Sequence, residues 1–220
     1  MKILAVETSG KTFSVALNED GRTLAAFYYD CGHIHSEMLV PAVERILEDT
    51  NTSYKDIDKF AVSAGPGSFT GIRVGMTAVK TFAQSLDKPV VAVDALAILE
   101  KSFVKIRGIK IVAAIDALRD EIYVKSGKKV VLKHIDKFIN ENKKHKDKII
   151  ITGSAALVYK EKLAKGLGFL SVSLSAADNM PKASVLGEMA CNIEGRNFND
   201  AEPLYIRRSW AEESKKTKVK

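Results

Sequence analysis

The sequence predicts an α/β protein of two mixed-sheet units, the second reduced, with helices covering the sheets. Three observations carry this. Strand-like apolar runs alternate with stretches of helical periodicity, the pattern of sheets layered with helices. The first three strand-like runs follow one another directly, which argues for a mixed sheet with an antiparallel edge. The order of three strands, helix, strand, helix, strand then occurs twice along the 220 residues, without a residue-level repeat beneath it.

The elements follow in order. Residues 2–6 are a short apolar run, and residues 12–17 are rich in β-branched and aromatic side chains, so both read as strands. The turn residues NEDGR at 18–22 lead into a third strand over 23–29. A helix is expected over 36–49, with Ser36 as a candidate N-cap and Glu37 in its first turn. Pro41 lies inside it, so the helix should kink or start later. Residues 59–64 are the fourth strand, 71–86 a helix, and 90–93 the fifth strand, after which Asp94 caps a helix to about 103.

The second round has strands over 110–115, 121–124 and 130–133, a helix over 135–144, a strand over 148–152 and a helix over 155–165. A strand near 169–173 and a last helix to about 193, with Pro181 in its first turn, complete it. Residues 1–106 and 107–208 are the two expected units, and 209–220 a basic tail.

Apolar residues make up 46% of the chain and charged residues of mixed sign 28%, a composition that supports a substantial core and argues against disorder. The formal charge is +7. Much of the excess lies in residues 125–148, which include NKKHKDK, and in the tail KKTKVK at 215–220. One reading is a solvated helix face and a frayed terminus; the other is attraction to an acidic partner such as RNA. Aromatic side chains do not interleave with these lysines, so no stacking platform is expected. Cys31 and Cys191, far apart and without a secretory signal, are expected to be free thiols in a reducing compartment. With no run of membrane-spanning length, a cytoplasmic location is expected.

The most distinctive stretch is AGPGSFTGIRVG at 64–75. It lacks the Gly-Lys-Ser/Thr of a Walker loop, although it lies between a strand and a helix, where free N–H groups can hold an anion. Gly65 and Gly67 suit a tight turn, and Ser68 or Thr70 can cap the helix. Gly71 and Gly75 share one helix side, each costing up to about 1 kcal/mol relative to Ala, which points to close approach by a second helix.

The two helices before and after the fourth strand carry more apolar surface than one sheet face needs. Met38, Leu39, Val43, Met76, Val79 and Phe82, with Arg73, are therefore candidate partner-binding residues, the alternative being that the apolar six are core. His33 and His35, two apart, do not share a helix face, and His134 and His145 make no cluster with them. A Cys31–His33–His35 site would lack ligands to complete a tetrahedron, so no metal site is expected.

The segments ILAVETSGKTFSVAL, HSEMLVPAVERIL, VSAGPGSFTGIRVGMTAVKTFAQSLDKPVVAVDAL, AIDALRDEIYV and EPLYIRR occur in this order between residues 3 and 208. Together they resemble the TsaB (YeaZ) family of the actin-like ATPase superfamily. The resemblance implies an actin-like (RNase H-like) fold and a role in forming threonylcarbamoyladenosine beside the anticodon of tRNA. It implies a non-catalytic subunit that binds the homologous transferase TsaD, with the ATPase TsaE joining and ATP and a metal ion held by those partners. It also implies a homodimer when alone and contact with tRNA through the complex. A free-standing ATPase or small-molecule kinase of the same superfamily is the alternative. The residues matching the superfamily's nucleotide site are Glu7 and Ser9 in the first hairpin, Asp116, and Gly153. Three departures make this site vestigial: Glu7 stands where Asp is commoner, Leu118 where a phosphate needs glycine, and Gly153 lacks a second glycine beside it.

Overall fold

A computed structural model describes residues 1–30, 35–103, 108–143, 148–168 and 177–207. Strands β1 (Lys2–Glu7), β2 (Phe13–Glu19) and β3 (Arg22–Tyr29) form an antiparallel meander. Strands β4 (Lys59–Gly65) and β5 (Val90–Asp94) add in parallel, giving the sheet order β3-β2-β1-β4-β5. Both faces of this sheet are covered, which is why β1 reads as an unbroken apolar run. Leu4 and Val6 point into the layer formed by α1 (His35–Asp49) and α2 (Phe69–Leu86). Ile3 and Ala5 point the other way, toward Leu186 and Ala190 of the final helix.

The second sheet repeats the plan on a smaller scale. Strands β6 (Ile109–Asp116), β7 (Glu121–Ser126) and β8 (Lys129–His134) form a meander, and β9 (Lys148–Thr152) pairs in parallel with β6, in the order β8-β7-β6-β9. The short helix α3 (Ala95–Lys101), capped by Asp94 as expected, packs Leu96 and Leu99 against Ala113 and Ile115 of β6. On the opposite face α4 (Ile135–Asn142), α5 (Ser154–Val158) and α6 (Lys160–Leu167) cover Val112, Ala114, Ile122 and Val124. One helix was expected over 155–165; the chain instead breaks at Tyr159, whose ring turns toward Asp116. The strand expected near 169–173 lies outside the described residues, as do Cys31, His33, His145 and the tail.

Helix α7 (Ala183–Cys191) corrects the expected division at 107. Its apolar stripe of Ala183, Leu186 and Ala190 covers the open face of the first sheet. Polar groups fix both its ends: Ala183 N–H donates to Ser14 Oγ at 2.9 Å, and the buried Lys59 Nζ donates to the carbonyls of Ala190 and Ile193 at 3.1 and 2.7 Å. An ammonium suits the negative end of a helix dipole.

The chain then straps the first unit. Arg196 and Val90 exchange backbone hydrogen bonds, Lys80 donates to the Ala201 carbonyl, and Leu204 N–H donates to the Ala64 carbonyl. Only at Arg207 does it return to the second unit, donating to the Ala117 carbonyl and pairing with Glu121. Residues 183–204 thus belong by packing to the first unit. Pro181 lies before α7 rather than in its first turn, and α1 begins at His35, ahead of Ser36.

Candidate functional site

The end of β1 meets the glycine-rich turn at the start of α2. Ser68 caps α2, its Oγ accepting from Gly71 N–H at 3.2 Å. The Ser68 N–H donates to the Ser9 carbonyl at 2.7 Å, and Thr8 Oγ1 donates to the Gly71 carbonyl at 2.7 Å. A Cβ at Gly67 would stand 2.2 Å from the Ser9 carbonyl oxygen, and one at Gly71 2.1 Å from that of Thr8. One at Gly75 would stand 2.2 Å from Thr8 Oγ1. The close approach that the glycines permit is therefore to the first hairpin, and the expected second helix is not its partner.

Glu7 sits in this junction, 1% exposed. Its Oε1 accepts from Ser9 N–H and Ser9 Oγ, both at 2.6 Å. Its Oε2 has no hydrogen-bond partner among the described residues. Burial pushes the Glu7 carboxyl above its ordinary value, and the Ser63 and Ser9 groups only partly oppose this. A group whose folded pKa is raised contributes stability that is complete below its unfolded pKa and is lost as pH rises through the folded one. Glu7→Gln keeps an acceptor for Ser9 and removes the titration. It should flatten the pH dependence of stability above the ordinary carboxylate range and raise stability at neutral pH. Urea titrations of both proteins at several pH values check this, and parallel pH curves would refute it.

The second-unit positions are also internally satisfied. The Asp116 N–H donates to Ser154 Oγ at 2.9 Å, while Asp116 Oδ1 accepts from Leu118 N–H at 3.0 Å and Tyr159 Oη at 3.2 Å. Burial and the neighbouring Asp116 push the Tyr159 hydroxyl up to about 12, so it stays a donor. Leu118, Arg119 and Asp120 all have left-handed backbones, a strained turn that Arg207 holds by the Ala117 carbonyl. Gly153 fits against the Ala114 carbonyl, where a Cβ would stand 2.3 Å away, and its N–H donates to Asn179 Oδ1 at 3.0 Å. Asn179, itself buried, bonds to Gly153, which the resemblance places in the nucleotide site, and no sequence motif pointed to it.

The candidate partner-binding side chains require a correction. Leu39, Val43, Met76 and Val79 are buried in the core beneath α1 and α2, and Met38 and Phe82 pack half-buried against it. The sheet face consumes the apolar stripes of both helices. Of the seven, Arg73 alone is exposed. Its guanidinium lies 3.9 Å from the Phe69 ring centre, and its Nε donates to Tyr205 Oη at 3.0 Å. Phe69 and Tyr205, whose rings pack tilted with centroids 4.9 Å apart, were not among the candidates, although Tyr205 lies in the EPLYIRR segment. Among the described residues no group of three His, Cys, Asp or Glu side chains is placed to hold a metal ion, and no helix is long and apolar enough to cross a membrane.

The family model described as TsaD, tRNA N6-adenosine threonylcarbamoyltransferase, matches residues 30–198. The tRNA threonylcarbamoyladenosine biosynthesis protein TsaB of Bacillus subtilis (strain 168) is 31% identical over 222 residues, covering 96% of each chain. Among solved structures, YeaZ from Pseudomonas aeruginosa superimposes with a TM-score of 0.73 at 26% identity, covering 93% of this chain and 99% of that one. The activator of 2-hydroxyisocaproyl-CoA dehydratase from Clostridium difficile, with bound ADPNP, shares the fold alone, at a TM-score of 0.50 and 11% identity over 99% of this chain and 98% of that one.

Proposed function

The chain belongs to the TsaB family, and on that premise we propose that it is a non-catalytic subunit in the biosynthesis of tRNA threonylcarbamoyladenosine. In this reading it binds a TsaD homologue, with a TsaE ATPase joining the assembly. The observation that carries the reading is where the glycine-rich backbone points. In a working actin-like ATPase the first hairpin and the glycine turns offer amides to phosphate. Here the N–H groups of Ser9, Ser68, Gly71 and Gly153 are spent on Glu7, the Ser9 carbonyl, Ser68 Oγ and Asn179. Gly67 and Gly71 are closed by backbone, which cannot move aside for a ligand. ATP and metal then belong to the partner subunits.

The partner face is the outer side of α1 and α2, with Arg73 as its centre. Stacking on Phe69 and the bond to Tyr205 hold the guanidinium in place, so little side-chain freedom is lost on binding. Arginine so held is a common hot spot, worth 2 kcal/mol or more on truncation in favourable cases. The purified chain is expected to show no ATPase activity that Glu7→Ala abolishes. It should capture the TsaD homologue from extract, and Arg73→Glu should weaken that capture by roughly thirtyfold while leaving the circular dichroism unchanged. ATP turnover lost on Glu7→Ala would return the free-standing ATPase. Undiminished capture by Arg73→Glu would remove the assigned face.

A further inference from the structure

We infer that the layer of α4 and α6 on the second unit contacts the phosphate backbone of tRNA directly. The inference rests on the function proposed above for the identity of the RNA, and on the charge distribution for the contact itself. Residues 104–168 hold 16 Lys and Arg against 7 Asp and Glu, whereas residues 1–103 hold 10 against 13. The chain's positive charge is thus concentrated in the smaller unit, while the larger unit is net acidic.

The fold brings part of this charge onto one surface. Lys162 Nζ reaches Asp136 Oδ1 at 2.9 Å near the start of α4. One turn on, Gly166 lies so near Ile139 that a Cβ would stand 2.4 Å from its Cγ2. The two helices therefore run side by side in the same direction. Two of the layer's acids are already engaged, Asp136 by Lys162 and Glu141 by Lys133 at 2.5 Å. That leaves Lys137 on α4 and Lys143 at its C-cap, and Lys160 and Lys165 on α6, exposed with only Glu161 on these helices to offset them.

The lysine-bearing helices themselves offer no anchor for a protein partner. Neither α4 nor α6 exposes an apolar side chain, although Leu157 and Val158 of the adjoining α5 are exposed, and a protein interface needs apolar or aromatic anchors at its centre. Phosphate contact needs only the ammonium groups and carries no base specificity. The absence of aromatic side chains among these lysines fits backbone contact rather than base stacking. The acidic larger unit would be repelled by the same RNA. Charge thereby orients binding, with the basic layer against the nucleic acid.

The test is binding of the full chain to an unmodified tRNA transcript, read by fluorescence anisotropy between about 50 and 200 mM salt. Each lysine–phosphate contact contributes about 0.9 to the slope of log affinity against log salt. Lys137→Ala with Lys165→Ala should flatten that slope by about 2 and lower affinity at least tenfold at about 0.1 M salt. Lys55→Ala with Lys101→Ala, an equal charge change on the first unit, should leave both nearly unchanged. All four side chains are exposed, and circular dichroism verifies that each variant folds. No binding of the wild-type chain at low salt, or equal flattening by both variants, overturns the inference. So does a Lys137/Lys165 variant that binds tRNA normally but loses a protein partner. Capture of the TsaD homologue is measured on the same proteins. Failed capture by the wild type tells against the proposed function while the tRNA slope is still read.

Discussion

Val79→Glu is expected to unfold the protein. Val79 is 0% exposed, on the side of α2 that faces the first sheet, among Val43, Ile46, Phe60 and Val62. The substitution gives up about 1.5–3 kcal/mol of apolar burial and leaves a carboxylate with no partner, which costs several kcal/mol more or forces its protonation. A domain is typically stable by only about 5–15 kcal/mol. Met76→Glu, at 4% exposed, should behave alike. Thr77→Glu, on the exposed side of the same turn, should leave the fold intact. Circular dichroism and urea unfolding of the three proteins separate the cases. A folded Val79→Glu protein that loses only its ability to associate would mean that this face of α2 looks outward after all.

Gly71→Ala is the second large effect, and it sets local and tertiary physics against each other. In an isolated helix the change gains about 1 kcal/mol. In this protein the added methyl group would lie 2.1 Å from the Thr8 carbonyl oxygen, a backbone atom in a buried strand end. Overpacking of this kind typically costs about 1–3 kcal/mol and occasionally more. The Thr8 hydroxyl bond to the Gly71 carbonyl would be strained with it. The net expectation is a loss of roughly 2 kcal/mol, a melting temperature lower by about 4–8 °C for a chain of this size. Gly75→Ala should cost less, because the group in its way is the Thr8 hydroxyl, which can rotate. Calorimetry on both variants checks the order. A higher melting temperature for Gly71→Ala would show that helix propensity outweighs the hairpin contact.

Much of the architecture was legible because it is written in local periodicity. Short runs of apolar, β-branched and aromatic side chains marked β1 to β9 within a residue or two of their ends. Asp94 and Ser68, both short polar side chains ahead of apolar runs, cap α3 and α2. The ordered segments from ILAVETSGKTFSVAL to EPLYIRR pointed to the family that the full-length relative then established. The candidate site was legible only in part. Glu7, Asp116 and Gly153 could be placed at strand ends, but nothing local indicated that Ser9, Tyr159 and Asn179 would occupy their hydrogen-bonding groups. These partners lie 2, 43 and 26 residues away, and even the nearest depends on the hairpin's fold.

The sequence by itself determined the fold class, the order of elements, the concentration of basic charge in the second unit, and the glycines that some close neighbour must explain. Only the tertiary structure decided what that neighbour is, which side of α1 and α2 remains exposed, and that α7 returns to the first sheet. The physical reason is the same in each case. An apolar stripe has one helical spacing whether its own sheet or a partner covers it, and a glycine removes a Cβ without naming what fills the space. Spacing records that a surface must be buried; the contact that buries it is made between residues far apart in the chain.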